Sequence, residues 1–366
     1  MTAPHPDRSR SIRIHVHLRG ADLALMERMG PAEIWYFIPH TDLPHHSALP
    51  PWCTRVNIFT AVRRIFTTDA RTIEIPEPLW ARFLPTAVLL MVSARVARRL
   101  TGRPSRTVFY SLENNTPEGA LFGSSRVPNI AKRAFIWMLG IIVTRLVDRV
   151  AFGSTGAKRA YDQVKQLRIR ESRVITALPA RRPLPEEDET PRSMGATTLF
   201  VGGLEYRKGI SILLDVWDVV EAAAPKATLT IIGSGPLRSE VESWVRRAPE
   251  RRRFMGQLPH GELASFYEAS DVLIAPSVRD GRWREQIGLQ LREALATGLT
   301  IVASDETGLA DWLAEHGHTV VPAAELGDTL APRIVSTLTR VLPRHAVRES
   351  LPAIDGRVAA DSWLHE

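Results

Sequence analysis

One cysteine, Cys53, stands alone in 366 residues. No intramolecular disulfide can form, and a thiolate metal cluster is excluded. Long apolar runs are scarce as well. Two uncharged, largely apolar stretches, residues 83–94 and 134–144, are twelve and eleven residues long. Both fall short of the ~20 residues that span a bilayer. Residues 1–10 contain no apolar targeting core, which argues against secretion and for a cytoplasmic enzyme. Internal repeats, long low-complexity tracts and nucleic-acid-binding motifs are also missing.

A chain of this length predicts two domains, each large enough for its own core. Short β-type runs alternate with helical patterns of 10–15 residues, which predicts α/β architecture with parallel, doubly wound sheets. Residues 181–195 carry three prolines and four consecutive acidic residues, a poor helix or strand and a natural linker. The expected division is a first domain over 1–182, a linker over 183–195 and a second domain over 196–340. A closing segment, 341–366, is expected to pack back on the first domain.

Charge is unevenly spread. Residues 1–182 hold 28 Lys and Arg against 13 Asp and Glu, a net of +15, and the remainder carries −8. A basic half calls for an anionic partner: nucleic acid, an anionic membrane or a phosphorylated lipid acceptor. The two apolar stretches, flanked by Arg82, Arg95, Arg98 and Arg99 and by Lys132, Arg133 and Arg145, fit interfacial helices at a membrane face. Each alone fits a buried core helix with solvated ends better, and the net charge of the whole half is what keeps the interfacial reading open.

Chemistry concentrates in residues 279–293. Glu285 and Glu293 stand eight positions apart with Gly288 and Leu289 between them, and residues 299–303 form an apolar strand after Gly298. This reads as a loop, a helix beginning near Gly288 and a return to the sheet. The free amides of a helix start favour anionic oxygens, and carboxylates accept hydrogen bonds from sugar hydroxyls. Glutamates eight apart also occur on ordinary solvated helices. Upstream, the strand at 198–201 runs into Gly202, Gly203, Leu204, Glu205, Tyr206, Arg207, Lys208 and Gly209, and a helix follows from Ile210. A second strand, 227–232, ends in Gly233, Gly235 and Pro236. Arg253 to Leu258, with Gly256 at its turn, then precedes a helical run over 260–271 and a strand ending in Pro276 and Ser277.

In this order the segments resemble the retaining glycosyltransferases of family 4, whose signature is E-x7-E. The resemblance implies the GT-B fold, two Rossmann-like domains facing across a cleft. It implies a nucleoside-diphosphate sugar as donor, a glycan or lipid-linked acceptor, transfer with retention, and neither metal nor cofactor. Carried over, Glu293 meets the ribose, Lys208 offsets diphosphate charge, and Glu285 holds the transferred sugar. The amides of Gly288 and Leu289 lie near phosphate and sugar. Gly202, Gly203, Arg207, Gly256 and Leu258 complete the donor set. Gly203 stands where the family has an arginine; one lost charge-assisted contact is worth about 1.5–3 kcal/mol. Arg207, beside Lys208, points elsewhere if the backbone follows the family.

The first half is less informative. Residues 12–18 alternate, with Ile12, Ile14, Val16 and Leu18 on an apolar face and Arg13, His15 and His17 on the other. The family often has two glycines after this strand; here only Gly20 is available. Where the family often has a cleft histidine, the strand at 107–112 leads to Glu113 and Asn114. These suit a cleft edge that bonds sugar hydroxyls, and also suit a turn without chemistry. The family's P-N-G-x-D turn is replaced by residues 175–182. His40, His45 and His46 share a Pro-rich loop that fits a surface acceptor loop better than a metal site, there being no cysteine or spaced carboxylates beside them. Two other classes stay open: a non-catalytic GT-B-like protein that binds nucleotide or glycan, and a lipid- or nucleic-acid-binding module without a nucleotide pocket.

Overall fold

Seven parallel strands form the first sheet and six the second, in a computed structural model that describes residues 8, 10–40, 43, 49–182 and 197–366. The linker expected at 183–195 lies outside the described residues, as do His45 and His46. Two units divide the chain: residues 1–176 with 356–366, and residues 177–355.

In the first unit the strands are β1 (Ser11–Leu18), β2 (Glu33–Pro39), β3 (Cys53–Arg55), β4 (Thr72–Glu74), β5 (Arg106–Ser111), β6 (Arg149–Phe152) and β7 (Glu171–Val174). Their order is β3-β2-β1-β4-β5-β6-β7, every pairing parallel. Parallel neighbours require crossovers, and helices supply them. Asn57 caps the helix Ile58–Thr67 by accepting from the Thr60 amide, and Ser154 caps Thr155–Asp162 through the Ala157 amide. Gly102, at φ +68°, ends the long helix Leu84–Thr101. The core gathers Ile12, Ile14, Ile73, Phe109, Val150 and Phe152 from the strands with Leu90, Met91 and Val143 from the helices.

Both apolar stretches of the sequence fall on helices, Leu84–Thr101, which Phe83 precedes as its N-cap, and Asn129–Leu146. Each is divided by face. Leu90, Met91 and Ala94 are buried, as are Ile136, Leu139 and Val143, while Leu89, Val92, Leu100, Ile130, Trp137 and Met138 face outward. No helix among the described residues is long and apolar enough to cross a membrane.

The alternation of β1 has a different cause from the one its pattern suggests. Arg13 does not face water; it is 1% exposed. The helix Gly356–His365 covers that face, and Asp361 takes the Arg13 guanidinium through both oxygens, Nε at 2.6 Å and Nη2 at 2.7 Å. Arg357 donates to Glu74 at 2.6 Å, and the His365 ring lies 3.3 Å from the other Glu74 oxygen. Ala360, Trp363 and Leu364 pack on Val108 and Ala151 beside this network. Glu74, Asp361 and His365 have the spacing of a metal-ligand set, but two guanidinium groups already occupy the carboxylates. Burial alone would raise the Glu74 carboxyl; Arg357, His365 and Arg13 outweigh it and hold the group well below the usual carboxylate range.

The second unit has β8 (Thr197–Val201), β9 (Thr228–Ile232), β10 (Arg252–Phe254), β11 (Val272–Ala275), β12 (Thr300–Ser304) and β13 (Thr319–Val321). They are parallel in the order β10-β9-β8-β11-β12-β13. Phe200, Leu229, Ile231, Val272, Ile274 and Val302 pack against Leu213 and Trp217 of the helix Ile210–Ala223 and against Leu330 and Ile334 of Leu326–Leu338. The central strands β11 and β12 are buried on both faces, as the middle of a parallel sheet requires.

Removing one partner from a buried ion pair leaves an uncompensated charge. Asp361→Ala is therefore expected to lower unfolding free energy by about 3–5 kcal/mol in urea titrations, while Arg13→Met with Asp361→Leu loses far less. Because the Glu74 carboxyl is depressed in the folded chain, its contribution is complete above the ordinary value of 4.5 and declines as pH falls below it. Urea midpoints measured from pH 7 to 3 should show that decline.

Candidate functional site

In a doubly wound sheet, ligands lie beyond the carboxyl ends of the strands at the point where strand order reverses. In the second unit that point lies between β8 and β11, whose successors β9 and β12 run to opposite sides. The segments leaving these two strands are residues 202–209 and 276–288, the two that the sequence singles out.

Leaving β8, Gly202 donates to the Ile232 carbonyl and Leu204 to that of Ser234. Tyr206–Lys208 forms one 3₁₀ turn, ended by Gly209 at φ +72°. A side chain there would also meet the Pro276 carbonyl oxygen at 1.9 Å, so glycine alone lets the two strand exits come this close. The Val278 amide donates to the Arg207 carbonyl at 2.9 Å and fastens one exit to the other.

This approach brings Lys208 Nζ onto Glu285 Oε2, an ion pair with a hydrogen bond. Both groups are largely shielded, the side chains 16% and 11% exposed. Ser277 Oγ donates to the same carboxylate oxygen at 3.3 Å, and Ser304 Oγ donates to the Ser277 carbonyl. Between Ser277 and Glu285 the chain makes a tight turn at Asp280 and Gly281 (φ +54°), closed by paired backbone hydrogen bonds between Asp280 and Trp283. That turn sets the Trp283 indole against two cations, Arg207 at 4.4 Å and Lys208 at 5.0 Å from the ring centre. Arg207 Nε also reaches Glu205 at 2.5 Å. The adjacent loop is fixed by Arg284 on Glu306 at 2.6 Å and by Gly308 donating to the Gln286 carbonyl at 2.7 Å.

Gly288, at φ +83°, turns the chain into the helix Leu289–Thr297, whose opening amides have no intrahelical acceptor. The first glutamate stands ahead of this helix start and the second lies inside it. Glu293 has two aromatic neighbours. His260 Nδ1 lies 3.4 Å from its Oε1, and the buried Tyr267 phenol is pushed well above its usual range by burial and by the Glu293 charge. His260 follows Gly256 and Leu258, which leave β10 two strands from β8; the Gly256 carbonyl accepts from Gly233. The structure thus groups Arg207, Lys208, Glu285 and Gly288, with Glu293 one helical turn further and the 256–260 loop against it. Arg207 does not point away, as the family backbone implies: it shares an indole with Lys208.

In the first unit the strand order reverses between β1 and β4. Gly20 begins the helix Gly20–Glu27 after β1, and Glu113 and Asn114 follow β5 on the same edge. Sequence reading passed over Glu77, which organises this edge. Its carboxyl accepts from Ser111 Oγ at 2.6 Å and from the Glu113 amide at 3.2 Å. Burial, then the nearby Glu113 charge, push it up to about 7. Trp283, Glu205, Ser277 and Tyr267 were passed over too. A Trp within an Arg-rich loop, two residues before a glutamate, is the signal that could have marked the first of them.

Gly209→Ala combines a strained φ with a backbone clash. It is expected to cost at least about 1–3 kcal/mol in urea unfolding and to displace Lys208 from Glu285.

The chain is similar to known proteins in part of its sequence and in its fold. Residues 195–340 match the family model described as "Glycosyl transferases group 1". The phosphatidyl-myo-inositol mannosyltransferase of Mycobacterium tuberculosis is 34% identical over 165 residues, 44% of this chain and 42% of that protein. The match therefore spans about two fifths of that relative's length. Among solved structures, Anabaena HepE in complex with UDP aligns with a TM-score of 0.66 at 14% identity, covering 97% of each chain. The lipopolysaccharide outer core galactosyltransferase WaaB, in its apo form, aligns with a TM-score of 0.63 at 13% identity over 93% of this chain and 94% of that one. With two parallel Rossmann-like sheets and a charged site at the switch point of the second, the chain has the GT-B fold, and its residues 195–340 are similar to the glycosyl transferases group 1.

Proposed function

We propose that the protein transfers a sugar from a nucleoside-diphosphate sugar to a glycan or lipid-linked acceptor, with retention of anomeric configuration and without a metal ion. The observation that carries this reading is the grouping of Lys208, Glu285 and the Gly288 helix start at the switch point of the second sheet. Lys208 and the helix amides offset charge on the departing diphosphate, the part a divalent ion would otherwise play. Glu293 accepts from the ribose hydroxyls, and Glu285 both steadies Lys208 and meets hydroxyls of the transferred sugar. The departing phosphate takes the acceptor proton on the same face, so no separate base is required in the second unit. The Anabaena structure of the same fold carries UDP, which makes UDP the first nucleotide to test.

Titration of the purified chain with UDP, GDP, ADP and dTDP, with Mg2+ and with EDTA, should show micromolar binding of one nucleotide that is indifferent to the metal. Glu293→Ala is expected to weaken it about tenfold, the loss of one hydrogen bond to a charged group. Lys208→Ala is expected to lower turnover more than binding. Absence of binding by all four nucleotides would favour a non-catalytic GT-B protein.

The acceptor reading rests on the first unit. Its basic surplus, and the outward Leu89, Val92 and Leu100 of one helix with Ile130, Trp137 and Met138 of another, fit work on a lipid-linked substrate at an anionic membrane face. Vesicles containing phosphatidylglycerol should retain the protein at low salt and release it at high salt. Trp137→Glu should reduce retention without changing nucleotide binding.

A further inference from the structure

Glu205, Arg207 and Trp283 occupy space that the glutamate signature leaves unassigned. A side chain built at Gly203 would begin 3.1 Å from Glu205 Oε1, the movable end of a flexible group. The other oxygen of that carboxylate receives Arg207 Nε at 2.5 Å. The space above Gly203 is thus filled from two positions along, by an acid that carries a guanidinium on its outer side. The guanidinium lies against Trp283, and so does the ammonium of Lys208. Trp283 is partly exposed and is placed by the Asp280 turn, not by core packing. An indole that holds two like charges within 5.0 Å of its centre offsets repulsion that would otherwise part them.

We propose that Arg207 and Lys208 form a paired cation clamp for the donor diphosphate, with Trp283 as the residue that positions both and Arg207 supplying the charge that Gly203 does not. The proposal rests on the donor-site reading above and deepens it. Glu205 and Glu285 neutralise the two cations. An incoming diphosphate exchanges these carboxylates for its own oxygens, while the indole keeps both cations from swinging into solvent. Phosphate recognition suits a planar guanidinium and a compact ammonium side by side, one bidentate and one a point charge.

The test compares the nucleoside diphosphate that binds the unaltered protein with its own nucleoside, by calorimetry. Trp283→Ala and Arg207→Ala should each weaken the diphosphate about tenfold and leave the nucleoside unchanged. Trp283→Phe, which keeps an aromatic face, should lose less than half of that effect. Adding Gly203→Arg to Arg207→Ala should recover most of the lost affinity, because the Cβ added there meets only the flexible Glu205 side chain. Thermal melting confirms that each variant is folded. Equal losses for nucleoside and diphosphate would overturn the clamp, since Trp283 would then be holding the loop or the base. Unchanged diphosphate affinity in either alanine variant would overturn it too, as would failure of the folded Gly203→Arg, Arg207→Ala double variant to recover. If the unaltered protein binds no diphosphate, the donor-site reading fails and the clamp fails with it. Diphosphate binding in the unaltered protein with indifferent variants sinks the clamp alone.

Discussion

The contact between Lys208 and Glu285 depends on how closely two parallel strands can deliver their exits. β8 and β11 are hydrogen-bonded neighbours although 70 residues of chain separate Val201 from Val272. Only the reversal of strand order puts them side by side. Gly209 then lets the backbones meet, the Val278 amide fastens them, and the ion pair closes over the junction. Trp283, the Gly288 turn and the helix that carries Glu293 are all placed relative to that junction. A shift of one exit by an ångström would part Lys208 from Glu285.

The second unit was legible because its signals are local. Apolar strands, glycine-bearing exits and helical periodicity recur in register, and each motif falls within a few residues of the strand that positions it. The strands expected at 198–201, 227–232 and 272–277 form within one or two residues of those limits. The place of Arg207 was not legible. Its direction is set by Glu205, two residues away, and by Trp283, which arrives from another strand exit; spacing along the chain carries no record of that meeting.

The first unit shows the converse. Alternation in β1 is genuine, but its polar face is buried and ionic at Arg13 and reaches water only toward His17, where a period of two ordinarily separates core from water along the whole strand. Nothing near Arg13 in sequence announces Asp361, 348 residues on. Glu77 escaped notice for the same reason: its partners Ser111 and Glu113 belong to a different strand exit. Long-range polar pairs of this kind shape the carboxyl edge of a sheet, where chemistry is placed, and leave little trace in periodicity.

The helix Gly356–His365 makes the first unit discontinuous, because it covers a sheet begun by β1 only after the whole second unit has intervened in the chain. On the ribosome, residues 177–355 emerge as an uninterrupted unit and can close their own core first. Until residues 356–366 arrive, Arg13 and Glu74 lack two of their counter-charges, and the Val108 and Ala151 face of the sheet stays uncovered. The sheet that is synthesised first is therefore the one covered last.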